Sequence, residues 1–229
     1  MSISAAGQPP KLIIRNNGLT EYADAYRRMQ DFTAARTAET ADEIWFTEHP
    51  PVITLGTNAK PEHIISAGDT PVVQTDRGGQ VTWHGPGQLM VYLLLDLKRL
   101  KLPVKSLVQG MELAVIQMLA DYRISANCEA GAPGVYVSGK KIASLGIRVK
   151  RGYTYHGMAI NVSNAPDAFA GINPCGYSGL DTVRINDLLA TGSTAKNLSE
   201  VSKMLLPHLQ LALKLSNSQR RADPNNCPT

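Results

Sequence analysis

A run of seven consecutive apolar residues, LMVYLLL at positions 89–95, constrains the fold of this chain more than any other stretch. The run is too short for a membrane-spanning helix, which needs roughly twenty apolar residues, and no other apolar run in the sequence is longer. Its length suits a strand buried inside a sheet. Glycine-containing turns, GG at 78–79 and GPG at 85–87, stand before it, so further strands are expected beside these turns.

The whole chain alternates between strand-like and helix-like patterns. β-prone segments predict strands at 11–14, 43–47, 52–55, 72–75, 80–84, 89–97, 135–137, 141–149 and 158–162. Apolar residues at helical spacing predict a helix capped by Thr20, another capped by Ser106, a short one within 181–190, and one over 198–215 that Pro207 interrupts. This mixture indicates a single α/β (α+β) domain over residues 11–215, with a loose N-terminus at 1–10 and a disordered tail at 216–229.

Composition and charge narrow the function classes. Hydrophobic residues make up 43% and charged residues 18%, which is ordinary for a globular protein. The N-terminus does not resemble a signal peptide, and the cysteines at 128, 175 and 227 lack metal-ligand spacing, so a reducing cytoplasm is expected. Basic residues cluster at 98–105 and 140–151, but aromatic residues are only 6%. Acidic protein partners therefore fit better than nucleic acid, and scattered solvated charge is the alternative.

Short motifs carry residue types suited to acyl transfer. Cys175 lies in the motif PCG, a small-residue turn that can present a thiol. Lys140 and Lys141 follow a turn and point to opposite faces of a strand, so only one of them faces a site. A nearby ammonium lowers a thiol pKa and so raises the fraction of the nucleophilic thiolate. By themselves, however, a free cysteine is more often a small buried residue and a lysine beside a turn is usually solvated.

These motifs, in their order along the chain, resemble those of the lipoyl(octanoyl) transferase family. The blocks are DEIWFTEHPPVITLG (42–56), RGGQVTWHGPGQ (77–88), GAPG (131–134), KIA (141–143), YHGMAIN (155–161) and PCG (174–176). Each block is weak alone, but the ordered set is specific and spans about two-thirds of the chain.

The resemblance implies a fold, a reaction and partners. The fold is that of biotin and lipoate protein ligases, a mixed β-sheet flanked by helices. In the reaction, an octanoyl group passes from octanoyl-acyl carrier protein, through a thioester on Cys175, to a lysine of a lipoyl domain. Cys175 and Lys141 form the catalytic dyad, and no cofactor is needed. The acceptors are lipoyl domains of 2-oxoacid dehydrogenase complexes and the glycine cleavage H protein.

The resemblance also implies which residues bind the acyl substrate. These are Arg77, Gly78, Gly79, Gln80, Val81, Thr82, Trp83, His84, Ser144, Leu145, Gly146, Gly157, Met158 and Ala159. Their apolar members are expected to line a groove, and their backbone N–H groups to hold the oxyanion. His84 and His156 are each expected to orient the dyad or to line the pocket, and the alternative is that each supports a turn.

Two other function classes stay open from the residues alone. An ATP-dependent ligase of the same fold also has a glycine-rich loop but needs no nucleophilic cysteine. A noncatalytic acyl- or nucleic-acid-binding module would leave Cys175 inert. If an acidic carrier protein docks on this chain, the charges expected to receive it are Lys140, Arg148, Lys150 and Arg151.

Overall fold

The computed structural model describes residues 12–174 and 180–215 of the 229-residue chain. The strands are β1 (Ile13–Leu19), β2 (Glu43–Glu48), β3 (Val52–Leu55), β4 (Val72–Gln74), β5 (Val81–His84), β6 (Gln88–Leu94), β7 (Asn127–Glu129), β8 (Ala132–Val137), β9 (Lys140–Lys150) and β10 (Tyr153–Asn161). The helices are α1 (Tyr22–Ala35), α2 (Val104–Asp121), α3 (Ile185–Leu188) and α4 (Leu198–Leu215).

Two sheets organise these elements. Seven strands form the large sheet in the order β1-β2-β6-β10-β9-β8-β7, in which β1 and β2 are parallel and all other neighbours are antiparallel. The small sheet has the order β4-β3-β5, with β3 parallel to β4 and antiparallel to β5. These mixed sheets with their flanking helices confirm the predicted α/β class.

Strand β6 is covered on both faces, which explains its apolar run. Leu89, Val91 and Leu93 pack on one side into the core that includes residues of α2 and α4. Met90 and Tyr92 pack on the other side, in a cluster with residues of α1. Because successive side chains of a strand point to opposite faces, a strand buried on both sides is apolar at every position.

The hairpin that leads into Lys141 forms where its turn residues predict it. Ser138 and Gly139 connect β8 to β9, and both have positive φ, 51° and 77°, which suits a tight two-residue turn. Val135 pairs with Ala143, whereas the next residue of β8 pairs with Lys141, so β9 carries one extra residue at this point. A bulge of this kind redirects neighbouring side chains.

The predicted caps Thr20 and Ser106 are wrong. Glu21 is the N-cap residue of α1, and the Thr20 hydroxyl donates instead to a carbonyl of β1. Pro103 is the N-cap residue of α2 and its carbonyl accepts the first helical N–H, so Ser106 lies within the first turn. Proline fits a helix start because its fixed φ suits the helix and no N–H is needed there. Pro207 does not divide α4, which continues through it.

No helix within residues 12–174 and 180–215 is long and apolar enough to cross a membrane. Over the same residues, no group of three or more His, Cys, Asp or Glu side chains is arranged to hold a metal ion. The N-terminal and C-terminal segments that were expected to be loose or disordered lie outside the described residues.

Candidate active site

A cleft of about 500 Å³, measured with its opening, lies between the small sheet and the large sheet. β5 and the loop before it form one wall, and residues of β6, β9 and β10 form the other. Of the fourteen residues expected to bind substrate, the cleft is lined by all except Gly78 and Trp83.

The two exceptions have local explanations. Side chains alternate along β5, so Thr82 and His84 face the cleft and Trp83 faces away from it. Trp83 packs edge-on against Phe169, with ring centroids 5.8 Å apart, in a separate hydrophobic cluster. The Gly78 N–H donates to the carbonyl of Ile147 in β9, so it is not available to an oxyanion.

The expectation that backbone N–H groups of β10 hold an oxyanion is also not met. Gly157, Met158 and Ala159 each pair with β6 on one side and with β9 on the other. In a strand with neighbours on both sides, the backbone groups are used by the ladder. These residues therefore offer the cleft side-chain surface and, at Gly157, space.

Four further residues line the cleft: Tyr22, Met90, Tyr92 and His156. His156 was one of the two histidines left between a pocket role and a turn role, and it belongs to the pocket wall. Tyr22 comes from the start of α1 and stacks on His84 with a centroid separation of 5.8 Å. The other two belong to the apolar run of β6, in which alternation alone does not indicate which face borders a cavity.

Arg77 anchors the glycine-containing loop at 77–80, which immediately precedes β5. It is buried, and its guanidinium donates to the backbone carbonyls of Thr54, Gly78 and Gln80 and to the Thr54 hydroxyl. The loop lies directly on β9, where a Cβ at Gly146 would come within 2.7 Å of the Gly78 carbonyl oxygen. Glycine at 146 is thus required by the close approach of two backbones.

The Asp76 carboxylate is the centre of a hydrogen-bonded cluster that includes His156, a residue of the cleft wall. Asp76 accepts hydrogen bonds from His156, Tyr155 and Tyr26. Burial opposes ionisation of Asp76, but these hydrogen bonds outweigh it and hold its pKa below the usual value. Burial lowers the pKa of His156, and its bond to Asp76 only partly offsets this effect. The pair therefore favours a neutral imidazole against an ionised carboxylate near neutral pH.

His84 is neutral as well, for a stronger reason. Burial lowers the pKa of His84 to about 3, and the positive charge of Arg77 acts in the same direction. Its ring nitrogens contact the Thr54 hydroxyl at 3.2 Å and the Gln88 side-chain oxygen at 2.8 Å. A neutral ring serves one of these contacts as donor and the other as acceptor.

Lys141 is buried, with only 2% of its surface exposed, whereas the adjacent Lys140 is exposed. The Lys141 ammonium donates to the carbonyl of Pro133 at 3.1 Å and lies 5.1 Å from the ring centroid of Tyr136. Lysine is almost never fully buried in proteins without a partner or a function. This contrast between neighbours confirms that one lysine faces inward, as the strand pattern predicts.

The surroundings of Lys141 fit its side chain closely. Gly134 has a φ of +146°, and a Cβ there would meet the Lys141 Cε at 2.8 Å and its Nζ at 3.1 Å. The Gly134 N–H donates to Glu112 of α2 at 2.9 Å. Burial raises the pKa of Glu112, although the Gly134 hydrogen bond and the charge of Lys141 act against the increase.

Cys175 lies in the segment 175–179, outside the described residues, so its geometry is not part of this site description. The chain on both sides of that segment is held in place. The Asn173 N–H donates to the carbonyl of His63, and the Asp181 carbonyl accepts from the Lys141 N–H at 2.9 Å. The Val183 N–H then donates to the Lys141 carbonyl at 3.1 Å. The strand of Lys141 is thus bonded directly to the chain that follows Cys175.

The four charges expected to receive a partner have different environments. Lys140 forms an exposed ion pair with Asp181 at 3.4 Å, so it is not as available as the sequence suggested. Arg151 donates to two carbonyls at the end of α1, at 2.9 and 3.1 Å. Arg148 and Lys150 are exposed residues of β9 that point to the same side of the strand.

Cys128 of β7 is disulfide-bonded, and both other cysteines, Cys175 and Cys227, lie outside the described residues. This bond differs from the state that a reducing compartment favours. Experiments on the Cys175 thiol therefore require a reductant, which keeps every cysteine in one defined state.

Sequence comparisons place the chain in a family. The model of the lipoyl protein ligase A/B catalytic domain matches residues 21–210. The chain belongs to this family. Within the lipoyl protein ligase A/B family, it is 50% identical over 200 residues to an octanoyltransferase of Laribacter hongkongensis, covering 87% of this chain and 95% of that protein. It is also 50% identical over 204 residues to an octanoyltransferase of Chromobacterium violaceum, covering 89% of this chain and 97% of that protein.

Solved structures share the fold of this chain at low sequence identity. A lipoate-protein ligase A bound with ATP superimposes with a TM-score of 0.66 at 14% identity, covering 96% of this chain and 98% of that one. A biotin protein ligase of Aquifex aeolicus gives 0.55 at 13% identity, covering 92% and 72%. These likenesses confirm the predicted ligase-like fold.

Proposed function

We propose that this protein is an octanoyltransferase that loads octanoyl groups onto lipoyl domains through a thioester on Cys175. The observation that carries the proposal is the buried Lys141 ammonium, which lies on the same strand as the cleft wall and is bonded through its backbone to the chain that follows Cys175. The octanoyltransferases that are 50% identical over most of the chain support it.

In the first step, the Cys175 thiolate attacks the carbonyl carbon of an octanoyl thioester. The new C–S bond forms, the carbonyl oxygen carries the charge of the tetrahedral intermediate, and the bond to the donor's sulfur then breaks. The departing thiolate takes a proton, which in this proposal comes from Lys141 after Lys141 has received the proton of Cys175. The proposed donor is octanoyl-acyl carrier protein.

In the second step, the amine of an acceptor lysine attacks the Cys175 thioester. An amide forms, the Cys175 thiolate leaves, and the proton lost by the amine returns to the Cys175–Lys141 pair. An amide is more stable than a thioester, so the transfer proceeds without ATP. Proposed acceptors are lipoyl domains of 2-oxoacid dehydrogenase complexes and the glycine cleavage H protein. A reducing compartment such as the cytoplasm preserves the thiol.

The cleft is the proposed site of the octanoyl chain. Leu145, Met158 and Met90 present apolar side chains to it, and Gly146 and Gly157 leave space between them. Of the β9 residues that line the cleft, Ser144 is the nearest in sequence to Lys141, and Gly146 is the one that meets the loop at Gly78.

The proposal is tested by intact mass of the protein after incubation with octanoyl-acyl carrier protein, in reductant and without ATP. One octanoyl group should be added, hydroxylamine should remove it, and Cys175→Ala should not acquire it. Cys128→Ser and Cys227→Ser are the matched controls and should still be acylated. Acylation of Cys175→Ala would refute the assignment, and transfer that needs ATP and free octanoate would indicate a ligase instead.

A further inference from the structure

A continuous chain of hydrogen bonds crosses the interior from the glycine-containing loop to the backbone of Lys141. It passes from Arg77 through the side chains of Thr54, His84, Gln88 and Asn161, all of which are buried. In order, the donor–acceptor distances are 2.9, 3.2, 2.8 and 2.9 Å between these side chains. The Asn161 amide then lies 3.5 Å from the Lys141 carbonyl oxygen and 3.3 Å from that of Val183.

Chemistry fixes the direction of every bond in this chain. A guanidinium only donates, so the Thr54 oxygen accepts from Arg77 and its hydroxyl hydrogen goes to His84 Nε2. A neutral His84 then carries its proton on Nδ1 and donates to the Gln88 oxygen. The Gln88 amide donates to the Asn161 oxygen, and the Asn161 amide donates to the two carbonyls. Bonds aligned in this way polarise one another.

The hydrogen-bond chain ends at the backbone of Lys141, which is one of the two reacting residues in the proposed function. The two carbonyls that accept from the Asn161 amide belong to two different segments of the polypeptide. One is that of Lys141, and the other is that of Val183, in the segment that follows Cys175. Asn161 therefore bonds to both sides of the backbone junction that relates the lysine to the cysteine segment, and it does so without lining the cleft.

We propose that Gln88 and Asn161 are positioning residues, which hold Lys141 in register with the segment of Cys175 and couple that register to the cleft through His84. This inference rests on the proposed function, because it takes Lys141 and Cys175 as the reacting pair. His84 lines the cleft, while Gln88 and Asn161 do not, so their effect on the reaction passes through the hydrogen bonds.

The deciding variant is Asn161→Leu, which keeps the side-chain size and removes both the donor and the acceptor. A misplaced reacting group costs about ten- to a hundred-fold in rate, so kcat should fall by that factor while KM for the octanoyl donor stays within about twofold. The pH midpoint of Cys175 alkylation should rise, because the ammonium is no longer held in place. The matched control is Asn164→Leu, another buried asparagine, whose side-chain amide donates to the adjacent Ala165 carbonyl and to no other group among residues 12–174 and 180–215.

Asn161→Asp adds a readout that a purely structural role would not produce. A carboxylate next to two carbonyl oxygens is disfavoured, so the acid form, which can still donate, persists to raised pH. Its kcat relative to wild type should therefore recover as pH is lowered. If Asn161→Leu does not fold, as judged by thermal unfolding, Thr54→Val replaces it. Thr54→Val removes the hydroxyl that joins Arg77 to His84 in the hydrogen-bond chain, so it should lower kcat. Thr54→Ser keeps the hydroxyl and should have the kcat of the wild type.

Two outcomes separate this inference from the proposed function. If Cys175→Ala abolishes octanoylation but Asn161→Leu or Thr54→Val matches wild type in kcat and alkylation profile, the positioning role is wrong and the proposed function stands. If octanoylation survives in Cys175→Ala, the proposed function fails whatever Asn161 does. Equal losses in Asn161→Leu and Asn164→Leu would also overturn the positioning role, because they would indicate general loosening of the core.

Discussion

At the scale of single residues, the adjacent lysines Lys140 and Lys141 differ in burial because successive side chains of a strand point to opposite faces. Lys140 meets solvent and Asp181, and Lys141 is enclosed by Tyr136, Gly134 and the Pro133 carbonyl. A charge in such a place interacts strongly with its neighbours, since water does not screen it. This is the physical reason why Lys141, rather than any exposed cation, is suited to influence a thiol.

Replacing Lys141 with Met should shift the pH profile of Cys175 alkylation upward and impair octanoyl transfer. Loss of a nearby positive charge disfavours the thiolate, so the thiol pKa rises. The profile is measured with iodoacetamide in reductant-equilibrated protein, from the rate of alkylation at each pH. Lys140→Met is the matched control and should leave the profile unchanged. Identical profiles for the two variants would contradict a Cys175–Lys141 dyad.

At the scale of elements, the β8–β9 hairpin places Lys141 through its bulge and through Gly134. Gly134 should not tolerate alanine, because the new Cβ would lie 2.8 Å from both the Ala143 carbonyl oxygen and the Lys141 Cε. We expect Gly134→Ala to lower kcat about tenfold or more, as the lysine is displaced. The measurement is steady-state octanoyl transfer with one donor and one acceptor.

Gly131→Ala is the matched control for this hairpin. Gly131 also has a positive φ, +74°, but a Cβ there would meet no atom within 4 Å. The variant should lose about 1 kcal/mol of stability from backbone strain and keep its kcat. A normal kcat in Gly134→Ala would mean that the side chain of Lys141 does not depend on this contact.

Sequence patterns predicted elements well where local chemistry decides them. The apolar run of β6, the Ser138–Gly139 turn and the position of α4 follow from alternation, positive φ and helical spacing. The predicted caps Thr20 and Ser106 are wrong because the N-cap residues are Glu21 for α1 and Pro103 for α2. Neither of these helices has a side-chain hydrogen bond at its N-cap, which is the signal that the prediction used. For the candidate site, ordered motifs located most of the cleft, but Tyr22 comes from a distant helix, and no local pattern records such a contact.

At the scale of the whole molecule, buried neutral histidines make the free energy of unfolding depend on pH. The pKa of His84 is about 3 in the folded state, well below its ordinary value of 6.5, and burial also lowers the pKa of His49 and His156. The unfolded chain therefore binds protons first as pH falls. The stabilisation is complete above pH 6.5 and is lost between pH 6.5 and the folded-state values.

We expect the free energy of unfolding to decrease below pH 6.5, by up to about 1.4 kcal/mol per pH unit for each such histidine. Urea unfolding at pH 7.5, 6.5, 5.5 and 5.0 measures it, with the same ionic strength throughout. A free energy that stays constant from pH 7.5 to 5.0 would contradict neutral burial of these rings.

The surface charges make a second prediction at this scale. Reversing Arg148 and Lys150 to Glu should lower kcat/KM for octanoyl-acyl carrier protein, most at low ionic strength, because exposed charges mainly speed encounter. Transfer from a small neutral octanoyl thioester should be nearly unchanged. The control is the reversal of Lys105 and Lys203 to Glu, because both lysines are exposed, on α2 and α4, and the change in charge is the same. Equal losses with both donors would indicate damage to the cleft instead of docking.

The backbone junction at Lys141 has a consequence for how this protein can diverge. The segment after Cys175 is attached in part through the Asp181 carbonyl and the Val183 N–H, and these two hydrogen bonds do not depend on which side chains the segment carries. Substitutions at 181 and 182 can accumulate there without cost to the junction. Proline at 183 is the exception, because it has no N–H to donate. The side chains at 181 and 182 can thus change while the two main-chain hydrogen bonds to Lys141 are retained.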